Sequence, residues 1–251
     1  MIVKKLKLVF LENSEIVHEQ DEQVHDSEHQ DCLKKNERAL FVVGEIGGND
    51  FKDAFLRGRT LEEVKAMVPI VVEAIKYALR RVIEYGATRI VVPGNYPIGC
   101  FPVFLTKFPI NDTNAYDELH CLKYFNNFAI YQNDLLQKGI KELKEEYPNV
   151  IIVYGDYYNA FLGLFRKANM FGFDPKSLQK ACCGIGGEYN FNVRVSCGDP
   201  SVTVCSNPDE RVNWDGIHLT QRAYELMATW LMQDIYPKLQ CEHIDSYRST
   251  I

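Results

Sequence analysis

The stretch "RVNWDGIHLTQRAYELM" at residues 211–227 sets an aspartate three positions before a histidine. With Gly216 to let the chain turn tightly, such a carboxylate can accept a hydrogen bond from one imidazole nitrogen. That bond fixes the tautomer, stabilises the imidazolium and leaves the other nitrogen free as a general base. Asp215 and His218 are therefore a candidate orienting acid and base. On spacing alone a plainer arrangement is commoner: Asp215 caps the last helix and His218 sits half-buried in its first turn. "GEIGGNDF" at 44–51 offers a third group. The Asn49 carboxamide can donate to a developing oxyanion, and the glycines beside it admit a substrate closely. Alone, Asn49 reads more simply as an Asx-turn residue closing a loop.

These residues need elements to hold them. "ALFVVGEIGGND", from Ala39, is an apolar run closed by glycines, as expected of a buried strand ending in a tight loop. "TLEEVKAMVPIVVEAIKYALRRVIEYG" follows, with Thr60 and Glu63 spaced as a capping box, apolar positions every three or four residues, Gly86 at its end and a kink expected at Pro69. "TRIVVPG" at 88–94 is the next strand. A loop rich in Pro and Asn leads into the long amphipathic helix of "YDELHCLKYFNNFAIYQNDLLQKGIKELKEEYP". "NVIIVYGD" is the third strand and "YYNAFLGLFRKANMFG" a short helix. Residues 172–210 read as irregular, and the last helix as running from near His218 to about Asp234.

Strand and helix thus alternate, with crossovers long enough for parallel pairing. The expected fold class is α/β, a three-layer α/β/α sandwich on a parallel sheet. Ligand sites in such sheets lie beyond the C-terminal ends of the strands, where "GEIGGNDF" and "WDGIH" would both arrive. Three domain segments are expected: a polar N-terminal segment at 1–38, one domain at 39–238 and a tail at 239–251. Three strands are few for such a sheet, and the first 38 residues supply no convincing fourth.

Composition bounds the function. The 251 residues are 46% hydrophobic and 25% charged, with a formal net charge of -6. That balance suits a globular protein with a real core and leaves no basic footprint for nucleic acid. No apolar run approaches the length that spans a bilayer. Eight cysteines, an even number, suit disulfides formed in an oxidising compartment, with the pairing open. The Asn111-Asp112-Thr113 sequon, a candidate glycosylation site at Asn111, agrees with secretion. The N-terminus disagrees, because Lys4, Lys5 and Lys7 interrupt its apolar residues and Glu12 and Glu15 follow too soon for a signal peptide. His18, His25, His29 and Cys32 lie in an acidic run. His25 and His29 have the spacing that grips a metal on one helix face, but without an H-E-x-x-H pattern the run reads as a solvated segment, and no metal is assigned. Tyr154, Tyr157, Tyr158, Phe161 and Phe165 suit either an acyl pocket or, more commonly, simple core.

Taken together, "GEIGGNDF", "VVPGNYPIGCFP", "ELHCLKYFN", "YGDYYNAF", "ACCGIGG" and "WDGIHLT" closely resemble the plant-type GDSL esterase/lipase family of SGNH hydrolases, in family order over residues 39 to 235. The resemblance implies a flavodoxin-like α/β/α fold and hydrolysis of carboxylic esters by a Ser–His–Asp triad. It implies no metal or organic cofactor, and small-molecule or lipid acyl esters as substrates. His218 would be the base, Asp215 its orienting acid and Asn49 one oxyanion-hole donor. The full-length family form would be secreted or lie in the endomembrane lumen.

One departure is large. The family's nucleophile is the serine of a Gly-Asp-Ser motif, followed by a glycine that supplies a second oxyanion donor, and neither occurs here. The Gly-Asp pairs of this chain precede Tyr157 and Pro200, and no G-x-S-x-G elbow exists. Ser201 and Ser206 would be the stand-ins if a serine of the cysteine-rich loop were recruited. The expectation is a domain without its N-terminal strands and nucleophile, inactive as an esterase, or a non-catalytic remnant that binds ligands or partners in the same cleft.

Overall fold

A computed structural model describes residue 36 and residues 39–239. The polar segment with His18, His25, His29 and Cys32, the N-terminal leader reading, and the tail with Cys241 lie outside the described residues.

Three short strands form the central sheet: β1 (Leu40–Val42), β2 (Arg89–Pro93) and β3 (Ile151–Gly155). They pair in the order β1-β2-β3, all parallel, with Phe41 opposite Ile90 and Val91 opposite Val153. The strands fall where expected, each trimmed by a residue or two at an end. The expected burial of the first is corrected: β1 is largely exposed, because no strand covers its outer edge among the described residues. Ile90, Val91 and Val92 are consecutive and all buried, so both faces of β2 are covered. Only a sheet sandwiched between other layers needs such a run.

The connections supply those layers. After β1 comes α1 (Gly48–Leu56), then α2 (Leu61–Glu84). Helix α1 was not expected; the glycines and the Asn-Asp pair read as a loop. Phe51, Ala54 and Phe55 recur at helical spacing and all enter the core, where Phe51 and Phe55 each meet Phe128 edge-on with ring centroids 5.1 Å apart. Burial of that stripe outweighs weak local propensity. The helix starts on Gly47, whose φ of 101° and close neighbours Val71 and Phe51 leave no room for a side chain. Helix α2 has the expected capping box: Glu63 N donates to Thr60 Oγ1 at 3.2 Å and Thr60 N to Glu63 Oε2 at 2.8 Å. It is assigned as one helix through Pro69.

Past β2, a short helix α3 (Pro102–Lys107) leads to α4 (Lys123–Glu146). Both β-to-β crossovers step the same way along the sheet, which puts α2 and α4 side by side in one layer. Gly139 of α4 lies against Lys76 of α2, whose ammonium is paired with Glu73 at 2.8 Å and Glu142 at 2.5 Å. The loop after β2 is pinned to α4 by buried amides. Asn95 N donates to Asn133 Oδ1 at 2.7 Å, Asn133 Nδ2 returns to Asn95 O at 3.0 Å, and Asn95 Nδ2 donates to Gln132 Oε1 at 2.5 Å. A disulfide, Cys100–Cys121, closes the same region.

After β3 come α5 (Tyr157–Arg166) and α6 (Ala168–Phe171), then the cysteine-rich segment. That segment is less irregular than expected. It holds a two-stranded antiparallel pair, β4 (Cys183–Gly184) and β5 (Thr203–Val204). The adjacent cysteines diverge, Cys182 to Cys205 and Cys183 to Cys197. Helix α7 (Gln221–Ile235) closes the domain, its Ile235 lying over Gly155 of β3.

The outer edge of β1 has no strand beside it among the described residues, and Leu40 and Val42 are 42% and 49% exposed. An apolar edge with free N–H and C=O groups templates association. A lysine there should suppress it. Val42→Lys is expected to lower concentration-dependent light scattering with the far-ultraviolet circular dichroism unchanged; identical scattering from both proteins would count against an active edge.

Candidate active site

The Asp215–His218 loop is built as a closed turn. Trp214 N donates to His218 O at 2.8 Å and Thr220 N to Val212 O at 2.9 Å, so residues 212–220 fold back on themselves. Gly216 makes the reversal at a φ of 88°, where a side chain would run into Phe191. The cysteine-rich segment clamps the loop from outside. Cys182 N donates to Asn213 O at 3.0 Å, Cys183 N to Trp214 O at 2.6 Å, and Asn213 Nδ2 to Leu178 O at 2.6 Å. Tyr224 Oη accepts from Leu219 N at 3.3 Å, tying the turn to α7.

Within this turn the carboxylate meets the imidazole. Asp215 Oδ2 lies 2.7 Å from His218 Nδ1. Its other oxygen accepts from the backbone N–H groups of Ile217 at 3.0 Å and His218 at 2.8 Å. The plainer arrangement is thereby corrected. Helix α7 starts at Gln221 and is capped by Thr220, whose Oγ1 accepts from Ala223 N at 3.2 Å, so Asp215 caps no helix. A hydroxyl one residue from the helix satisfies its first free N–H groups, and the aspartate is left to its own turn.

The electrostatics follow from the contacts. Burial alone would push the Asp215 carboxyl up, but the His218 ring and the two backbone donors outweigh it and hold it below its ordinary value. The bond from Asp215 raises the His218 imidazole above its ordinary value, against burial and the positive charge of Lys52. The two groups contribute to stability in opposite pH directions. The histidine's share is fully present below its unfolded value near 6.5 and fades as pH rises through the raised folded one; the aspartate's share is lost as pH falls through its depressed one. His218 stays largely open, with its side chain 63% exposed against 22% for Asp215.

Asn49 is the second residue of α1 and is exposed, so it is a helical residue beyond the end of β1 and not a loop closure. Its Oδ1 accepts from Lys52 Nζ at 3.1 Å. The Lys52 charge acts on His218 as well, so α1 lies within electrostatic reach of the 212–220 turn. Sequence reasoning passed over Lys52 and also Glu45. The Glu45 carboxyl folds back to accept from Gly48 N at 3.0 Å. Some of the residue's surface stays open, yet its carboxyl end is enclosed, and burial pushes its pKa to about 7, against the Gly48 bond and with help from Asp50. It also acts electrostatically on Tyr96, Tyr157 and Tyr224, so these groups share a neighbourhood. No spacing rule marks Glu45, because its neighbours come from three separate segments.

The remaining sequence candidates scatter. Tyr157 packs on Tyr96 with ring centroids 5.3 Å apart, while Phe161 and Phe165 are core. Tyr154 and Tyr158 instead line a groove of about 1050 Å³ along the outer side of β3, with Trp230 and Lys238, away from the His218 turn. Ser201 Oγ donates to Asp199 Oδ1 at 2.7 Å and Ser177 Oγ to Asp174 O at 3.1 Å. Among the described residues no serine hydroxyl is hydrogen-bonded to His218. Asn111 is exposed, just ahead of the turn Thr113–Ala115. No cluster of three or more His, Cys, Asp or Glu suited to a metal occurs among the described residues, and none of their helices is long and apolar enough to cross a membrane.

These elements make a parallel α/β domain with a carboxylate-held imidazole in the turn ahead of its last helix. The chain belongs to the GDSL-like lipase/acylhydrolase family, whose model matches residues 11–231. It is 47% identical over 211 residues to a GDSL esterase/lipase of Arabidopsis thaliana, covering 84% of this chain and 64% of that protein. Over 217 residues it is 42% identical to acetylajmalan esterase 1 of Rauvolfia serpentina, covering 86% and 56%. Over 211 residues it is 44% identical to acetylajmalan esterase 2 of the same plant, covering 84% and 57%. The chain therefore spans under two thirds of the length of these relatives.

Two titrations check this electrostatic picture. The His218 ring, followed by NMR, should titrate above the free imidazole value, and Asp215→Asn should bring it down. Glu45→Gln should remove a loss of stability that the wild type shows as pH rises from 4.5 to 7, because the buried acid holds its proton longer folded than unfolded. The gain above pH 7 is about 1–3 kcal/mol. Parallel pH–stability curves for the two proteins would show that the carboxyl is solvated.

Proposed function

We propose that this chain carries the base, the orienting acid and one oxyanion donor of a carboxylic-ester hydrolase of the GDSL type. The observation behind this reading is the 2.7 Å contact between Asp215 Oδ2 and His218 Nδ1 in a turn clamped by the cysteine-rich segment. With Nδ1 engaged, Nε2 is the free nitrogen. It would take the proton of an attacking serine hydroxyl as the serine oxygen bonds to the ester carbon, then return it to the departing alkoxide. Water would repeat the sequence on the acyl-enzyme. Asn49 Nδ2 would donate to the oxyanion in both steps.

The serine is the missing part. The 251 residues contain no Gly-Asp-Ser, and no described serine reaches His218. The chain by itself is therefore a poor catalyst: removing a triad member leaves only about 10³–10⁴-fold acceleration over water. That absence also favours a second reading, a non-catalytic domain that binds an ester or its carboxylate product in the same cleft.

The relatives and the disulfides support a substrate class and a setting. Two relatives are named acetylajmalan esterases, and a short acyl group on a small molecule is the substrate class proposed here. Three disulfides among the described residues support an oxidising compartment, secreted or lumenal, with glycosylation at the exposed Asn111.

A fluorophosphonate probe should leave the chain unlabelled; stoichiometric labelling of any serine would overturn the missing-nucleophile reading. When a family segment bearing Gly-Asp-Ser is joined ahead of Ala39, p-nitrophenyl acetate hydrolysis is expected. In that fusion Asp215→Asn should then lower kcat by about 10⁴-fold. If instead the fusion stays inert while the chain binds the ester reversibly by calorimetry, the binding reading takes its place.

A further inference from the structure

Lys52 follows Asn49 by three residues on α1, so the two side chains share a helix face. Lys52 Nζ sits 3.1 Å from Asn49 Oδ1 and 3.4 Å from Asp53 Oδ1. Its side chain is only 19% exposed, unlike a lysine left in solvent. An ammonium group donates and never accepts, so the Asn49 atom it touches has to be the carboxamide oxygen. This removes the usual ambiguity between the oxygen and nitrogen of an asparagine and turns Nδ2 away from Lys52. A cation on the oxygen also draws charge through the amide, which makes each Nδ2 hydrogen a stronger donor.

We propose that Lys52 is a positioning residue for Asn49, its ammonium locking the carboxamide so that Nδ2 faces the cleft as an oxyanion donor. The proposal rests on the reading of Asn49 given above. Lys52 serves the site in a second way, since its charge reaches His218 and opposes the upward pull of Asp215 on the imidazole. An oxyanion forming at Asn49 would thus meet a hydrogen bond and, behind it, a fixed positive charge. Asp53, itself 57% exposed, keeps the ammonium near without neutralising it in a closed pair.

The test is NMR on the isotope-labelled chain, with Lys52→Met and Lys52→Arg. In Lys52→Met the Asn49 side-chain NH₂ resonances should move toward free-amide positions and their heteronuclear order fall, while backbone amides outside α1 stay in place. The His218 titration midpoint should rise as the nearby charge is lost. Lys52→Arg, which keeps a donor-only cation, should restore both. If the Asn49 side-chain amide is unchanged in Lys52→Met, or if Lys52→Arg behaves like Lys52→Met, the proposal is overturned. Neither measurement needs turnover, so the result stands apart from whether the chain hydrolyses esters.

Discussion

The candidate site depends on one carboxylate in a turn closed by its own backbone bonds and clamped from outside by the cysteine-rich segment. Asp215 spends one oxygen on two backbone N–H groups of its own turn and the other on the His218 ring. The backbone bonds fix where the carboxylate points, and the ring follows it. Because the imidazole is open to solvent, its orientation comes from this bond and from the stiffness of residues 212–220 more than from packing. The clamp by Cys182, Cys183 and Asn213 therefore belongs to the chemistry as much as to the fold: two disulfides brace the segment that braces the turn.

Helix α1 works by a different principle. It is anchored by Phe51 and Phe55 in the aromatic core below, which frees its first turn to present Asn49 and Lys52 above the end of β1. Glu45 precedes this helix and accepts from its first N–H, while burial lifts its carboxyl to about 7. The sheet contributes only position. Its strands are short, and β1 has no strand on its outer edge among the described residues. Glu45 and Asn49 follow the C-terminal end of β1, where the general rule for open α/β sheets puts ligand sites.

Much of this was legible beforehand. The three strands stood out because runs such as "RIVVP", buried on both faces, leave no polar alternation to confuse them. Helix α2 was legible from Thr60 and Glu63, whose reciprocal bonds are local. Asp215 and His218 were picked out by type and spacing, but three residues of separation fit two geometries, and only the cap at Thr220 decides between them. Helix α1 was missed because Gly47, Gly48, Asn49 and Asp50 carry local turn signals, and what overrides them is burial of Phe51, Ala54 and Phe55 against residues far along the chain. The divergence of Cys182 and Cys183 was likewise hidden. Adjacent thiols can pair in many ways, and the β4–β5 geometry selects among them.

By itself the sequence determined the α/β class, the family, the identity of the candidate acid, base and oxyanion donor, and the lack of a Gly-Asp-Ser motif. All of these rest on residue types and near-neighbour order, which a linear string records in full. Tertiary structure decided that the carboxylate faces the imidazole, that Lys52 turns the Asn49 amide, that Glu45 is enclosed among tyrosines from three segments, and which cysteines join. The surroundings of Glu45 and the cysteine pairing depend on distances between groups far apart in the chain, set by how the buried faces of the helices settle on the sheet. The two short contacts, each across three residues, depend on the turn and the helix that this packing holds in place.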